Sequence, residues 1–353
     1  MNIDQAELII GNSNKRFSGV TSTMLQVLPH QLEIMPLAVL GKHHLPDDVP
    51  RLTFRQFVKL CRTPLANGKP RVFHARRNDE MIQAILAKKL GGAKIKIVFT
   101  STAQRHHSKF TRKLMGKMDG IITTSNAAGA YLKQPADIII PHGIDLDTYT
   151  PPSDKAEAWG KLGFPGKYGI GIFGRVRPSK GIDLLVDGAI PVLEKHGDAT
   201  VVICGETTPK FQSYEQELKD KIKRAGLEDR FLFIGKRPFS ELPKLFQGMS
   251  IVTALSRNEG FGLTVLEAMA SGSAVLASEA GAWKDIIRNG EDGYCIPIED
   301  LNAITEKLDL MLSNPELLSE MGAKGRMHAE AQYSNKTEAQ ALCEYFRKVQ
   351  ASD

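Results

Sequence analysis

At 353 residues the chain exceeds what one hydrophobic core ordinarily organises, so two domains are expected. Hydrophobic residues make up 42% and charged residues 24%, as in soluble globular proteins, and no apolar run approaches the roughly 20 residues of a bilayer-spanning helix. The charge is uneven: residues 1–150 carry 21 Lys+Arg against 11 Asp+Glu, a net +10, while the remainder is net −4, so the first half is expected to face an anionic partner. Nucleic acid, an anionic membrane and an acidic glycolipid all fit that description.

The acidic start, Met1-Asn2-Ile3-Asp4-Gln5-Ala6-Glu7, moves straight into a strand and does not read as a signal peptide. Apolar runs at 7–11, 72–74, 95–100, 120–124 and 138–141 predict buried strands. Helical patterns at 21–31, 80–89, 110–118 and 127–132 separate them. Pro151-Pro152 within 147–154 can neither continue a helix nor donate to a sheet, and marks the linker. Beyond it, strands are expected at 168–173, 200–204, 231–234, 250–254 and 274–277. Helices are expected at 181–195, 214–225, 241–247, 264–271 and 283–288, with two closing helices at 301–321 and 325–350. Alternating strands and helices imply parallel sheets covered on both faces, hence two doubly wound α/β domains with a cleft between them. The domain spans are 1–150, 151–325 and a C-terminal helical segment, 326–353, that crosses back to the first domain. Cys61, Cys204, Cys295 and Cys343 are far apart without a CxxC pair, so they read as buried thiols of a reducing compartment, with no metal site.

Two segments of the second half carry the chemistry. Gly169-Ile170-Gly171-Ile172-Phe173-Gly174 spells GxGxxG, but its first glycines lie inside the strand and Pro178 interrupts the helix that a dinucleotide site needs. Read as a strand followed by Gly-Arg-x-x-x-x-Lys-Gly, the stretch lets Gly174 exit tightly and returns Arg175 and Lys180 to one side of the loop. There they can hold a diphosphate whose charge rises as it leaves; the alternative is solvated loop cations. In Glu259-Gly260-Phe261-Gly262-Leu263-Thr264-Val265-Leu266-Glu267, a glycine-rich loop runs into a helix N-terminus, an anion site. Its two carboxylates would repel phosphate unless they engage other parts of the ligand, such as vicinal hydroxyls. Glu267, beside Leu266, Ala268, Met269 and Ala270, fits poorly as a merely exposed residue.

These segments resemble the donor-site motifs of the retaining glycosyltransferases of family 4, which have the GT-B fold. Gly205-Glu206, Ile234-Gly235, Ala270-Ser271-Gly272, Gly290-Glu291-Asp292-Gly293-Tyr294 and Pro141-His142-Gly143-Ile144-Asp145 agree with the likeness. The resemblance implies that Arg175 and Lys180 bind a nucleotide diphosphate, Glu267 the ribose, and Glu259 the transferred hexose. It also implies that Gly260, Phe261, Gly262, Leu263 and Thr264 touch sugar and phosphate, and that Arg237, within 236–238, lies at the base. Arg175, Lys180 and Glu259 are the catalytic set it implies, with no metal and no cofactor beyond the nucleotide-sugar. Where the family shows a Gly-Gly pair and a Glu, this chain has Gly281-Ala282-Trp283-Lys284-Asp285, and Ser273-Ala274 replaces the usual proline after Gly272.

In the first half, Phe17-Ser18-Gly19-Val20-Thr21-Ser22-Thr23 is a small-residue loop entering a helix, where Gly19 could let a ligand approach the backbone; a plain turn capped by Ser18 or Thr21 is the alternative. His74-Ala75-Arg76-Arg77 follows a strand, and Arg76 and Arg77 suit a carboxylate or phosphate, while His74 fits a site or a packed core equally. His106 or His107 could reach the donor sugar through a longer loop. Arg105, Lys109, Arg112, Lys113 and Lys117 accompany Phe110, Leu114 and Met118 at spacing four, an edge that could lie on an anionic membrane or simply pack. The segments 17–23, 74–81 and 99–108 are similar to lipopolysaccharide-core mannosyltransferases. That resemblance implies a GDP-mannose donor, an anionic glycolipid acceptor at an inner-core sugar acid, no nucleic acid, and work in the cytoplasm or at the cytoplasmic face of the inner membrane.

Overall fold

A computed structural model of the chain describes residues 3–16 and 18–352. Phe17, named above with the first loop, lies outside them. The first half contains β1 (Leu8–Gly11), α1 (Gly19–Ile34), β2 (Leu37–Leu40), β3 (Arg51–Leu52), α2 (Phe54–Cys61), β4 (Arg71–Ala75) and α3 (Asn78–Lys89). It continues through β5 (Ile95–Ser101), α4 (Lys109–Met115), β6 (Gly120–Thr123), α5 (Asn126–Gly129) and β7 (Ile138–Ile139). Then come α6 (Lys155–Leu162), β8 (Tyr168–Phe173), α7 (Ile182–Lys195), β9 (Ala199–Cys204), α8 (Gln212–Arg224), β10 (Phe231–Gly235) and α9 (Leu242–Gly248). The chain closes with β11 (Met249–Ala254), α10 (Thr264–Ala270), β12 (Ala274–Ser278), α11 (Trp283–Ile286), β13 (Gly293–Ile296), α12 (Leu301–Leu312), α13 (Pro315–Gln332) and α14 (Asn335–Ala351). It divides into two compact units, one formed by the chain up to Gly143 with the segment from Asn335 onward, the other Ile144–Ser334.

The first unit is built on a parallel sheet of seven strands in the order β3-β2-β1-β4-β5-β6-β7. Alternation along each strand sends Ile9, Phe73, Ile97 and Ile121 to one face, where Phe57, Met81, Ala84 and Leu114 of α2, α3 and α4 cover them. Leu8, Ile10, Val72, Val98 and Ile122 face the other way, against Met24, Val27 and Leu28 of α1 and Leu342, Cys343 and Phe346 of α14. Buried Glu338 anchors α14: its Oε2 accepts from the Gly143 backbone N–H at 2.7 Å, and its Oε1 lies 2.8 Å from His142 Nδ1. Pro141-His142-Gly143 is thus tied to the last helix.

The second unit has six parallel strands in the order β10-β9-β8-β11-β12-β13. Ile170, Ile172, Val201 and Ile251 pack under Leu185 and Val186 of α7, Leu218 of α8 and Leu308 of α12. Val202, Val252 and Val275 pack under Trp159, Phe246, Val265 and Met269 of α6, α9 and α10. Gly169 and Gly171 lie within β8 and are no part of a phosphate turn. Both units are thus the doubly wound α/β domains that the sequence leads one to expect.

The elements differ from expectation where the runs are short. The sequence pattern does not predict strands β2, β3 and β13 or helices α2 and α6. β7 is an edge strand whose Ile138 and Ile139 are exposed, instead of a buried run over 138–141. Three helices close the chain in place of two, because Pro315 starts a new helix at its first turn. α4 stops at Gly116, so Met118 lies beyond it. Leu114 is buried while Phe110 is 57% exposed, and the expected apolar edge is not one face.

Candidate active site

In doubly wound sheets a ligand crevice opens beyond the carboxyl ends of the two strands at which the strand order reverses. In the second unit those strands are β8 and β11, and the loops leaving them are 174–181 and 255–263. The two segments singled out from the sequence therefore come from neighbouring strand ends.

Gly181 fixes how closely the loops approach. It stands at φ +69°, and a Cβ on it would lie 2.0 Å from the Leu255 carbonyl oxygen, so a side chain is excluded by both conformation and space. Arg257 then fastens the loops. Its backbone N–H donates to the Ser179 carbonyl at 3.0 Å, and its guanidinium forks onto Asp183 at 3.0 and 2.7 Å. It also bonds Pro178 O, and Glu299 at 2.5 Å. Burial alone pushes the Asp183 carboxyl up, but hydrogen bonds from Arg257 and Tyr214 outweigh it and hold Asp183 below its ordinary value.

Within this frame Lys180 and Glu259 form an ion pair, each about one-fifth exposed. Glu259 Oε1 also accepts from the Gly260 backbone N–H at 3.2 Å, and Ser256 Oγ is 3.4 Å from Oε2. Arg175 is exposed on the first loop, with no hydrogen bond or ion pair among the described residues. Gly174 exits β8 with its N–H donated to the Cys204 carbonyl at 2.9 Å. Arg237, after β10, is also exposed and lies 3.8 Å from Glu241.

The glycine-rich loop is pinned from behind. Gly262 has φ +86°, and a Cβ there would strike the Trp283 indole 2.4 Å away; the indole N–H donates to the Gly262 carbonyl at 2.8 Å. Ala282 N–H donates to Phe261 O at 3.0 Å. The segment 281–285, where this chain departs from the family pattern, thus buttresses the loop, and Phe261 is buried. Leu263 leads into α10, which starts at Thr264.

Glu267, one turn into α10, is half-buried among wholly buried neighbours. Tyr149 OH donates to its Oε1 at 3.1 Å. Burial pushes the Glu267 carboxyl up to about 7, with the Tyr149 hydrogen bond working in the opposite direction. Among the described residues it has no ion-pair partner. The site thus sets two carboxylates apart, one neutralised by Lys180 and one titrating near neutrality.

Sequence reasoning missed Tyr149, Asp183, Arg257 and Trp283 as site-forming residues. The signal for Arg257 was present: an arginine two residues before Glu259, in a loop already under suspicion. Tyr149 had none, because 118 residues separate it from Glu267.

In the first unit the strand order reverses at β1 and β4. Arg77 Nη2 donates to Ser18 Oγ at 2.6 Å and Thr21 Oγ1 at 3.1 Å, joining the loop after β4 to the start of α1. Ser18 occupies the N-cap position without a side-chain cap bond, since its hydroxyl serves Arg77. Gly19 is exposed, and nothing stands within 4 Å of where its Cβ would be. Arg76 Nη2 donates to the Gly11 carbonyl at 2.9 Å, and its backbone N–H to Glu80 Oε2 at 2.7 Å. His74 is a packed core histidine: it is buried, its Nε2 lies 2.8 Å from Thr100 Oγ1, and its ring centroid is 4.9 Å from that of Phe346. Burial, then the charges of Arg76 and His142, hold it well below its ordinary pKa. The two later histidines part company. His106 is exposed near the Tyr131 carbonyl, whereas His107 Nε2 is 2.9 Å from Ser101 Oγ at the end of β5, its pKa lowered by burial and then by Arg105 and Arg112.

Among the described residues no group of three or more His, Cys, Asp or Glu is placed to hold a metal ion, and no helix is long and apolar enough to cross a membrane. The cysteines are free, three of them buried.

Residues 154–328 match the family model "Glycosyl transferases group 1". The chain is 40% identical over 341 residues to the lipopolysaccharide core biosynthesis mannosyltransferase LpcC of Rhizobium leguminosarum bv. viciae, covering 96% of each protein. It is 38% identical over 354 residues to the lipopolysaccharide core biosynthesis mannosyltransferase LpsB of Rhizobium meliloti (strain 1021), covering 99% of each. Among solved structures, Anabaena Alr3699/HepE in complex with UDP and glucose superposes with a TM-score of 0.77 at 18% identity, covering 97% of this chain and 99% of that one, a likeness of fold.

Proposed function

Since the chain belongs to the glycosyl transferases group 1 family, we propose that it is a retaining mannosyltransferase acting from GDP-mannose on an inner-core sugar of lipopolysaccharide. The full-length likeness to two enzymes of that name supports the donor sugar and acceptor. One structural observation carries the site assignment: the loops after β8 and β11 bring Lys180 against Glu259, at the strand-order reversal of the second sheet.

In this reading the second unit holds the donor. Lys180 turns from Glu259 to the departing diphosphate as charge accumulates there, and exposed Arg175 closes on the same group. Glu259, released from its cation, takes hexose hydroxyls and supports positive charge at the anomeric carbon. Glu267 accepts from the ribose, Arg237 lies at the base, and the backbone of 260–263 contacts sugar and phosphate. Two cations meet the leaving group, so the reaction is proposed to need no divalent ion. In the first unit Arg76, Arg77, His106 and His107 are assigned to the acidic acceptor, and Gly19 leaves room for its close approach. An acceptor carried on a lipid puts the enzyme at the cytoplasmic face of the inner membrane.

The test is transfer from GDP-mannose to an inner-core acceptor ending in an acidic sugar, followed by mass spectrometry of the product, with excess EDTA present. UDP-glucose, UDP-galactose and ADP-glucose are the competing donors. Turnover of UDP-glucose alone would replace the donor assignment. Release of free mannose without an acceptor product would make the protein a hydrolase, and loss of activity in EDTA restored only by Mg²⁺ or Mn²⁺ would end the metal-independent scheme.

A further inference from the structure

Beneath α1 and α14, the carboxyl ends of β4, β5 and β6 enclose a small cavity in the first unit. Its polar wall is made by His74, Arg76, Thr100, Thr124, His142 and Glu338. Its volume, about 20 Å³, exceeds the roughly 10–15 Å³ that one water molecule takes. Three side-chain atoms of that wall are buried and have no hydrogen-bond partner among the described residues: His74 Nδ1, Arg76 Nε and Thr124 Oγ1. Buried polar atoms are nearly always bonded, and three exceptions around one space need a common cause.

Two of these side chains are held by other contacts. His74 Nε2 lies 2.8 Å from Thr100 Oγ1 and its ring packs on Phe346, while Arg76 Nη2 donates to the Gly11 carbonyl at 2.9 Å. Neither can turn to a new protein partner without losing those contacts. Their chemistry selects what fits between them. Arg76 Nε–H only donates. His74 is neutral, since burial, then Arg76 and His142, hold its pKa well below the ordinary value. With Nε2–H donated to Thr100, its Nδ1 only accepts, and the Thr124 hydroxyl does either. A water molecule accepts from Arg76 and donates to His74 and Thr124, the three bonds usual for internal water. An anion would meet the Nδ1 lone pair, and a cation the guanidinium. Nor does Arg76 call for an anion: burial lowers its pKa, but the Glu80 and Glu338 carboxylates nearby oppose that.

We infer that this cavity is a site for one internal water, and that through it Thr124 and His74 position the Arg76 guanidinium for the acidic acceptor. Arg76 is then fixed along two edges, by the Gly11 carbonyl at Nη2 and by the water at Nε. Thr124, just beyond β6, touches no substrate and is a positioning residue. The positioning half of the inference rests on the acceptor reading given above; the water site does not.

The test is a pair of crystal structures of the full chain, unaltered and Thr124→Val, both grown with bromide. The unaltered protein should show one peak of water strength within about 3.2 Å of all three atoms, with no bromide signal. Thr124→Val keeps the shape but not the hydroxyl; it should lose the peak, and Arg76 should shift from the Gly11 carbonyl. In transfer assays Thr124→Val should raise the acceptor KM about 2–10-fold, the weight of one hydrogen bond, while kcat and the donor KM hold. Thr124→Ser, which restores the hydroxyl, should restore the acceptor KM. An empty cavity in the unaltered protein, a bromide ion in it, an Arg76 unmoved in Thr124→Val, or an acceptor KM indifferent to the valine or not rescued by the serine would each overturn the inference. If mannosyl transfer fails altogether, the paired structures still decide the water and the arginine. If the water is absent while transfer proceeds, this inference alone falls.

Discussion

Replacing Glu267 by Gln separates what this side chain does for the fold from what it does for the ligand. The carboxyl sits in α10 among buried neighbours, with one hydrogen bond from Tyr149 and, among the described residues, no cation. Burial raises it from the ordinary 4.5 to about 7 in the folded protein. A carboxyl whose folded pKa lies above its unfolded value binds its proton more tightly when folded. Its ionisation therefore costs stability as pH rises, with no cost below about 4.5 and the full cost above about 7. At 1.36 kcal/mol per pH unit the span amounts to about 3 kcal/mol. Glutamine keeps the shape and still accepts from Tyr149, but never ionises. Calorimetric melts at pH 8 should show the second unit of Glu267→Gln more stable by up to about 3 kcal/mol, roughly 6–12 °C for a unit of this size. At pH 5 the two proteins should nearly coincide. The same variant should bind the nucleotide-sugar roughly 10–100-fold more weakly, the loss of a hydrogen bond to a charged acceptor. Donor affinity of the unaltered protein should rise as pH passes through 7. A stability gap that does not change between pH 5 and pH 8, or a glutamine variant no more stable at pH 8, would refute the reasoning.

Arg175→Ala or Lys180→Ala should lower turnover at least ~100-fold without unfolding the protein, since each removes a cation proposed to meet the leaving diphosphate; near-normal turnover in either would remove that residue from the mechanism. Glu259→Gln should reduce kcat more than nucleotide affinity, and an equal fall in both would make Glu259 a plain binding residue. Arg257→Ala unties the loops after β8 and β11 and should cost about 1–3 kcal/mol of stability and roughly 10–100-fold in kcat/KM. Arg257→Lys should share most of that loss, because an ammonium cannot fork onto Asp183; a lysine variant with normal kinetics would show that the guanidinium clamp is dispensable.

The legible parts of the fold were those whose pattern survives without neighbours. β8 is a continuous apolar run buried on both faces, and its bounds follow from the sequence; so do those of β11 and β12 to within a residue. β2 has only four residues and follows α1 after a two-residue break. β3 has two residues, and in neither strand does the period of two recur often enough to be distinctive. The omission of α2 and α6 is different in kind, because their signals were printed in the chain. Thr53 and Gln56 make a reciprocal capping box, and Asp154 accepts from the Glu157 backbone N–H. The paired prolines mark the linker, and α6 starts just beyond them.

The candidate site shows the same boundary between local and tertiary information. Lys180 and Glu259 could be named because each lies in a segment whose residue types conflict with a purely structural role: cations around a strand exit, carboxylates beside an anion-binding turn. Their pairing depends on something no local pattern carries, the adjacency of β8 and β11 in a sheet that skips the strands between them in sequence. That adjacency also explains residues with no motif at all. Once the two strand ends are neighbours, the Leu255 carbonyl excludes any side chain at 181, and an arginine at 257 can grip Asp183, Pro178 and Ser179 together. Tyr149 comes instead from the segment before α6, and its hydroxyl moderates a carboxyl that burial alone would hold further from ionisation. The candidate donor site is therefore two motifs made into one by strand order, and the ionisation of Glu267 within it is tuned by a residue 118 positions earlier in the chain.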